Sequence, residues 1–285
     1  MTERRAHAKI NLDLKILGRR PDGFHELETL MVPLDLHDTV RFAPASSSIT
    51  LTLEGADLPT GPDNLAVRAA QLLQEATGFS GGVELHLIKR IPHGGGLAGG
   101  SSDAACVLRG CNELWGTGLD AGALAELGAK LGSDVNFFLQ DGPAICRGRG
   151  EWVEHVSIDP APYVLLLNPG WGVSTPWAYQ TYAANPRPGQ PGRSRFTVLR
   201  ADGRVEERVP VNDLEPAVFS KHLWIRAAKE WLLDQPGVLD AMMSGSGATV
   251  FALLETASAA EALAAAARLE LGESTRSIIT KCQTR

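Results

Sequence analysis

Nowhere in the 285 residues do about 18 apolar residues run without interruption, which leaves no candidate for a membrane-spanning helix. The stretch MTERRAHAKINLDLKIL threads charges through its apolar positions, so the apolar centre of a secretion signal is missing as well. There is no basic excess: the formal net charge is -6 and the sequence pI about 5.7. No global positive field is therefore available for nucleic acid or an anionic membrane, and any anionic ligand needs a local site. Cysteine is scarce and scattered. Cys106, Cys111, Cys146 and Cys282 form no CxxC pair and no cluster with histidine at metal-ligand spacing, so we expect buried free thiols. These absences together lead us to expect a soluble, cytoplasmic protein that binds neither nucleic acid nor membrane.

What is present is an ordinary globular balance of 44% hydrophobic and 21% charged residues. The length lies between one large domain and two ordinary ones. We expect an α+β fold of two lobes sharing a cleft, with residues 1–158 forming the first lobe and 159–285 the second. The boundary is expected near Ile158 to Pro162, before the apolar run YVLLLN.

Alternation from Ala8 to Leu17 followed by Pro21-Asp22-Gly23 predicts a hairpin. Ile49, Leu51 and Leu53, and then Val83, Leu85 and Leu87, predict strands on either side of a helix that ends near Gly78. Val107, Leu108, Cys111, Leu114 and Trp115 share one helical face, on a helix expected to start at Ser101 or Ser102. A further helix stops at Gly132, after which SDVNFFL reads as a turn into a buried strand. Residues 184–195, ANPRPGQPGRSR, read as a mobile surface loop. Helices are expected in SKHLWIRAAKEWLLDQPG and from about Ser258 to Leu271.

The segment IPHGGGLAGGSSDAA carries the strongest chemical signal. Glycine at this density costs backbone entropy and suits a chain that must approach something closely. At a helix start, unpaired N–H groups and the dipole both favour an anion, so phosphate is the natural partner. Ser101 or Ser102 would add a hydroxyl for a Mg²⁺ ion bridging phosphates. A P-loop needs lysine before its Ser/Thr, and glycine stands there. Gly94, Gly96 and Gly99 satisfy GxGxxG, yet the acidic residue a dinucleotide fold expects would be Glu113, within a helix. A protein-kinase reading lacks the HRD and DFG elements.

What remains is PxxxGLxxxSSxAA, here Pro92, Gly96, Leu97, Ser101, Ser102, Ala104 and Ala105, which resembles the phosphate loop of the GHMP kinases. AKINLDL at Ala8 to Leu14 and SGSGAT at Ser244 to Thr249 extend the resemblance to both lobes. The segments RRPDGFHELETLM, PDNLAVRAA, LGSDVNFFL, NPGWGVSTPWAY and NDLEP further resemble, in order, those of one branch of that group. That branch uses ATP and Mg²⁺ to phosphorylate an alcohol carrying a cytidine diphosphate, in the non-mevalonate route to isoprenoid precursors.

The resemblance implies catalytic roles for Lys9 and Asp134. It places Asn64, Lys89, Pro92, Gly94, Gly95, Gly96, Leu97, Gly99, Gly100, Ser101 and Ser102 around ATP, with Ser102 toward Mg²⁺. Asn11, Phe24, His25, Tyr179, Gly245 and Gly247 fall on the substrate side, Phe24 and Tyr179 as the rings that sandwich cytosine. An aspartate is ionised at neutral pH and suits accepting or orienting an alcohol proton, while lysine offsets phosphoryl charge. Phe24, His93, Ala98 and Asn136 depart from the group's usual text. The partner implied is a small molecule, and the expected assembly is a monomer or weak homodimer. A different GHMP kinase, or a silent nucleotide-binding sensor, remains an alternative.

Overall fold

A computed structural model describes residues 2–159 and 163–283. The boundary expected near 158–162 falls on 160–162, outside the described residues.

The chain opens with a long antiparallel hairpin of β1 (Thr2–Arg19) and β2 (His25–Ala45). Its turn closes as the sequence predicts: Gly23 adopts φ 87°, and the Asp22 carboxylate accepts a hydrogen bond from the Phe24 N–H at 3.1 Å. Two cores share this hairpin. Ala6, Val40 and Phe42 pack under the helices of the first lobe, whereas Ala8, Ile10, Leu12, Leu30, Val32 and Leu34 pack against the second lobe.

β3 (Ile49–Glu54) and β4 (Gly82–Ile88) extend the sheet and flank α1 (Leu65–Thr77). Asn64 caps the start of α1, and Gly78, at φ 67°, ends it in the left-handed conformation. α2 (Gly99–Leu114) and α3 (Ala121–Leu131, capped by Asp120) complete the helical layer.

The segment after Gly132 departs from expectation. SDVNFFL forms a single helical turn, α4 (Val135–Phe138), and not a buried strand. A short apolar run has no periodicity that separates strand from helix, and here Val135 joins the helical core while Phe137 packs on Met31 and Cys146.

β5 (Ala144–Gly148) and β6 (Trp152–Asp159) return to the large sheet. β7 (Tyr163–Asn168) then starts a second sheet, followed by α5 (Thr175–Ala184), which Ser174 caps. The chain next goes back: β8 (Phe196–Arg200), β9 (Val205–Arg208) and β10 (Val211–Asn212) all belong to the large sheet, in the order β10-β1-β2-β5-β6-β8-β9. The segment expected to be mobile is tied down on the way. The Gly189 N–H donates to Asp213 at 2.8 Å, and Ser194 N–H and hydroxyl donate to Asp240 at 2.9 and 3.0 Å.

After α6 (Glu215–Phe219) and α7 (Leu223–Leu233), β11 (Val238–Met243), β12 (Val250–Leu254) and β13 (Arg276–Lys281) complete the smaller sheet, ordered β11-β12-β7-β13. α8 (Ala257–Leu271) lies between the last two strands in sequence. One face of this sheet packs on the large sheet through Val164, Leu166 and Phe251, and the other on α5 to α8. The four cysteines are buried free thiols, and burial pushes Cys106, Cys111 and Cys282 up to about 12. No helix among the described residues is long and apolar enough to cross a membrane.

Candidate active site

A cavity of about 1050 Å³ opens where the hairpin, the glycine run, the start of α2, the 132–134 turn, α5 and the 244–249 turn converge. That volume suits a large ligand or two smaller ones side by side. Lys9, Asn11, Phe24, His25, Lys89, Pro92, Gly94, Gly95, Gly96, Gly99, Gly100, Ser101, Asp134, Tyr179, Gly245 and Gly247 all line it.

The glycine run is shaped from both sides. Gly94, Gly96 and Ala98 take φ of 67°, 76° and 54°, so the backbone turns sharply at every second residue. A Cβ on Gly96 would lie 2.1 Å from the Ser244 carbonyl oxygen, and one on Gly95 would lie 2.7 Å from the Thr249 hydroxyl. These two glycines therefore let the loop seat against the second lobe. Gly99 and Gly100 serve the helix start instead. α1, α3, α5 and α8 each begin with a side chain accepting a backbone N–H, whereas α2 begins at Ala98 with none. The first N–H groups of α2 are thus left facing the cleft, where an anion can take them.

Lys9 sits at the floor of the cleft. Its ammonium donates to Asn11 Oδ1 at 2.7 Å and to the Gly96 carbonyl at 3.0 Å, and lies 3.6 Å from Asp134 Oδ2. The same Gly96 carbonyl accepts from the Ser244 hydroxyl at 3.0 Å, so the first strand, the glycine run and the second lobe meet at one oxygen. Lys9 is only 3% exposed, whereas the Asp134 side chain keeps 28% of its surface open. A buried cation beside a reachable carboxylate can hold that carboxylate against a hydroxyl and offset incoming negative charge. The turn of α4 makes this possible: Asp134 precedes the helix, and its side chain accepts no hydrogen bond from it.

The opposite end of the cleft is aromatic. The His25 and Tyr179 rings stack at 5.3 Å and 27°, and the Arg149 guanidinium lies 4.8 Å from the Phe24 ring centroid. Burial and the nearby Arg19 charge lower the His25 pKa, which favours its neutral ring. Burial, with Asp134 adding to it, raises that of the Tyr179 phenol, so it stays protonated. Exposed Phe24, together with this His–Tyr stack, offers flat surfaces for a planar base.

Four expected site residues sit differently. Ser102 turns away: it is 2% exposed and faces a separate pocket beside Arg4 and Phe137. The cause is the start of α2 at Gly99, which places neighbouring residues about 100° apart and leaves Ser101 toward the cleft. Leu97 is 1% exposed and belongs to the core between the sheets; only its carbonyl contributes, accepting the Lys9 N–H at 3.1 Å. Asn64 does not line the cleft, because its carboxamide accepts from Ala66 N–H and donates to the Pro59 carbonyl. Lys89 lines the cavity wall, yet its ammonium is held by Asp38 and, at 2.6 Å, by Asp103. Its charge is thus already countered.

Several residues that support the site carried no signal of their own in the sequence. Asn212 donates to the Met243 and Gly245 carbonyls, both at 2.8 Å, and so clamps the glycine turn of the second lobe. Thr29 accepts from Asn11 at 2.8 Å. Arg149 lines the aromatic end. NDLEP was a visible segment; the use of its asparagine depends on β10 lying beside β1.

Residues 64–148 match the model of the GHMP kinases N terminal domain, and residues 203–272 that of the GHMP kinases C terminal domain. The chain is 42% identical over 263 residues to 4-diphosphocytidyl-2-C-methyl-D-erythritol kinase of Pelotomaculum thermopropionicum, with 91% of each chain covered. It is 44% identical over 250 residues to the enzyme of that name from Methylacidiphilum infernorum, covering 87% of this chain and 84% of the relative. A crystal structure of 4-(cytidine 5'-diphospho)-2C-methyl-D-erythritol kinase superposes with a TM-score of 0.79 at 33% identity, over 99% of both chains. Homoserine kinase from Cytophaga hutchinsonii shares the fold, with a TM-score of 0.69 at 18% identity over 99% of this chain and 94% of that one.

Proposed function

Because the chain belongs to the 4-diphosphocytidyl-2-C-methyl-D-erythritol kinase family of the GHMP kinases, we propose that it transfers the γ-phosphoryl group of ATP to the 2-hydroxyl of 4-diphosphocytidyl-2-C-methyl-D-erythritol. The products are the 2-phosphate and ADP, in the non-mevalonate route to isoprenoid precursors. The observation that carries the reading is the Lys9–Asp134 pair, 3.6 Å apart, in a cleft that also holds the uncapped start of α2.

Phosphoryl transfer needs little covalent chemistry from the protein; positioning and charge dominate. Asp134 accepts a hydrogen bond from the acceptor hydroxyl and takes its proton as the new O–P bond forms. Lys9, fixed by Asn11 and the Gly96 carbonyl, holds the carboxylate and offsets negative charge on the moving phosphoryl group. The N–H groups at the start of α2 take phosphate oxygens of ATP. Phe24, His25 and Tyr179 hold the cytosine, and Asn11, Gly245 and Gly247 border the alcohol between them.

A protein cage for Mg²⁺ does not fit: among the described residues no group of three His, Cys, Asp or Glu side chains is arranged to hold a metal ion, and Ser102 points elsewhere. Mg²⁺ characteristically keeps most of its shell as water and substrate phosphate, with Ser101 the hydroxyl on the cleft side here. Residues 1–158 supply the ATP side and 159–285 part of the substrate side, in a cytoplasmic enzyme acting as a monomer or weak homodimer.

A coupled ADP-release assay with the cytidyl alcohol tests the reading. Turnover at a rate above that with mevalonate or homoserine is expected. Binding of ATP and alcohol without ADP release would overturn it in favour of a silent nucleotide binder.

A further inference from the structure

We propose that Asp13 and Arg208, on the face of β1 opposite the cleft, are positioning residues that set the direction of Lys9 and Asn11. The inference rests on the kinase reading of the site above.

The register of the first hairpin carries the starting observation. Asn11 pairs with Met31 and Asp13 with Leu30, so Leu12 is an extra residue and β1 bulges there. Before the bulge, Lys9 and Asn11 face the cleft while Ile10 and Leu12 face the core. After it the alternation is inverted: Leu14 lines the cleft, and Asp13 turns to the core side. A slip of one residue at this point would exchange the two faces of the strand. Something must therefore hold the extra residue at position 12.

Asp13 is placed to do so. Its Oδ1 accepts the Leu30 N–H at 2.6 Å, across the bulge. Its own carbonyl accepts the Thr29 hydroxyl at 2.5 Å, and Thr29 Oγ1 accepts from Asn11 at 2.8 Å. Asn11 in turn accepts from Lys9 at 2.7 Å. One hydrogen-bond path thus runs from the bulge to the ammonium beside Asp134.

The carboxylate of Asp13 is 0% exposed, and burial raises its pKa. It stays in the core because Arg208 meets it at 2.8 Å. Arg208 is itself part of a closed ring of alternating charge. It contacts Glu28 at 2.9 Å and also Glu206. Arg200 bridges Glu206 and Glu154, and Arg147 bridges Glu154 and Glu28 at 2.7 and 2.9 Å. Three arginines and three glutamates balance, drawn from β2, β5, β6, β8 and β9. Asp13 is the seventh member, attached to the ring through Arg208 alone. Buried ion pairs add little stability over apolar packing, and their best attested use is to fix register. A carboxylate added to an already balanced ring fits that use.

The test is steady-state kinetics on Asp13→Asn, which keeps the shape and loses the charge, and on Thr29→Val, which cuts the path without touching a charge. Thr29→Val carries the test alone if Asp13→Asn does not fold. Both should lower kcat about tenfold to a hundredfold, as a displaced catalytic group does, with the ATP KM within about twofold of wild type. In a Lys9→Ala background the additional loss should shrink, since the path then ends on Asn11 and no longer reaches the ammonium. A kcat within twofold of wild type in the folded variants would overturn the proposal, as would a loss that persists in full without Lys9. Arg208→Lys should recover part of the rate lost in Arg208→Ala; equal rates in these two would count against the proposal. Wild-type turnover is read in the same assay, so its absence would refute the kinase reading and not this one.

Discussion

Replacing Ala98 with glycine should stabilise the protein without weakening ATP binding. Ala98 is the one residue other than glycine with positive φ among the described residues, at φ 54° and ψ 30°, and it occupies the N-cap position of α2. For an L-residue this conformation costs roughly 1–2 kcal/mol, because Cβ crowds the neighbouring carbonyl. Glycine removes that crowding but gives the unfolded chain more freedom, which opposes by about 0.4–1 kcal/mol. The net gain is about 0.5–1 kcal/mol. With an unfolding entropy of about 2.1 cal/mol/K per residue, a chain of this length should melt about 1–2 °C higher. Urea denaturation and calorimetry measure this directly. The α2 N–H groups keep their direction, so the ATP KM should stay within about twofold. Ala98→Val provides the opposite case, since a β-branched side chain fits positive φ worse, and it should lose more than 1 kcal/mol or so. A destabilised Ala98→Gly, or a fully tolerated Ala98→Val, would refute the argument.

Asp134→Asn should fold normally and lose activity by about a hundredfold to ten-thousandfold in the coupled assay, as removal of a positioned acid-base group does; near-normal turnover would remove Asp134 from the mechanism. Ser101→Ala should raise the ATP KM severalfold while Ser102→Ala leaves it unchanged, and the reverse order would contradict the helix phase at α2. Gly95→Ala should lower the melting temperature by overpacking Thr249 and Asn168, at a cost of about 1–3 kcal/mol. Gly100→Ala meets only Leu65 at 3.6 Å, so it should keep stability and weaken ATP binding. Burial, against the pull of Lys89, raises Asp103 to about 7, so its folded state binds a proton more tightly than the unfolded chain. The contribution of Asp103 to stability should therefore grow as pH falls from 8 toward 6, and the melting temperature of Asp103→Asn measured against wild type should be relatively lower at pH 6 than at pH 8. Glu28, Glu154 and Glu206 are held below their ordinary 4.5 by Arg147, Arg200 and Arg208, so their contribution is present above about that pH. Below it stability should fall as they take up protons, and a melting temperature flat from pH 5 to pH 3 would show that the ring contributes nothing.

The parts of the fold that were legible are those written locally. Pro21-Asp22-Gly23 specifies its turn through one side-chain bond and one positive φ, both within the segment. Asp120 likewise starts α3 through its side chain, which accepts the Ala123 N–H, and the helix ends at Gly132, whose N–H donates to the Gly128 carbonyl. α4 was not legible, because a four-residue segment with three apolar side chains fits a buried strand and a helical turn equally, and contacts with two separate cores decide the matter. The choice between Ser101 and Ser102 turned on where α2 begins. Two glycines that look like loop are its first helical residues, and that shift rotates Ser102 away from the cleft. β8 and β9 could not be read, and NDLEP was visible as a segment without the clamping role of Asn212, since the returning strands gain their meaning from β1 and β6, far away in sequence. Of the candidate site, the cleft residues with backbone or terminal-charge roles were readable. Those with prior local duties, the cap at Asn64 and the triad at Lys89, were not.

Glycine richness at 94–100 therefore has two causes, and counting it all as phosphate contact overstates the ligand's share. Gly95 and Gly96 lack side chains because Thr249 and the Ser244 carbonyl already fill that space. Gly172, on the second lobe, would likewise place a Cβ 2.7 Å from the Gly94 carbonyl oxygen. This half of the loop is a seam between lobes, and the Gly96 carbonyl within it receives both Lys9 and Ser244. The other half, Ala98 to Ser101, is the helix start left open toward the cleft. Both halves belong to one continuous segment, joined through Leu97, which is buried in the core between the sheets. A change in how the second lobe seats on Gly95 and Gly96 must therefore move the ammonium of Lys9 and the α2 N–H groups together. The alcohol side and the ATP side of the reaction are aligned by the same few atoms.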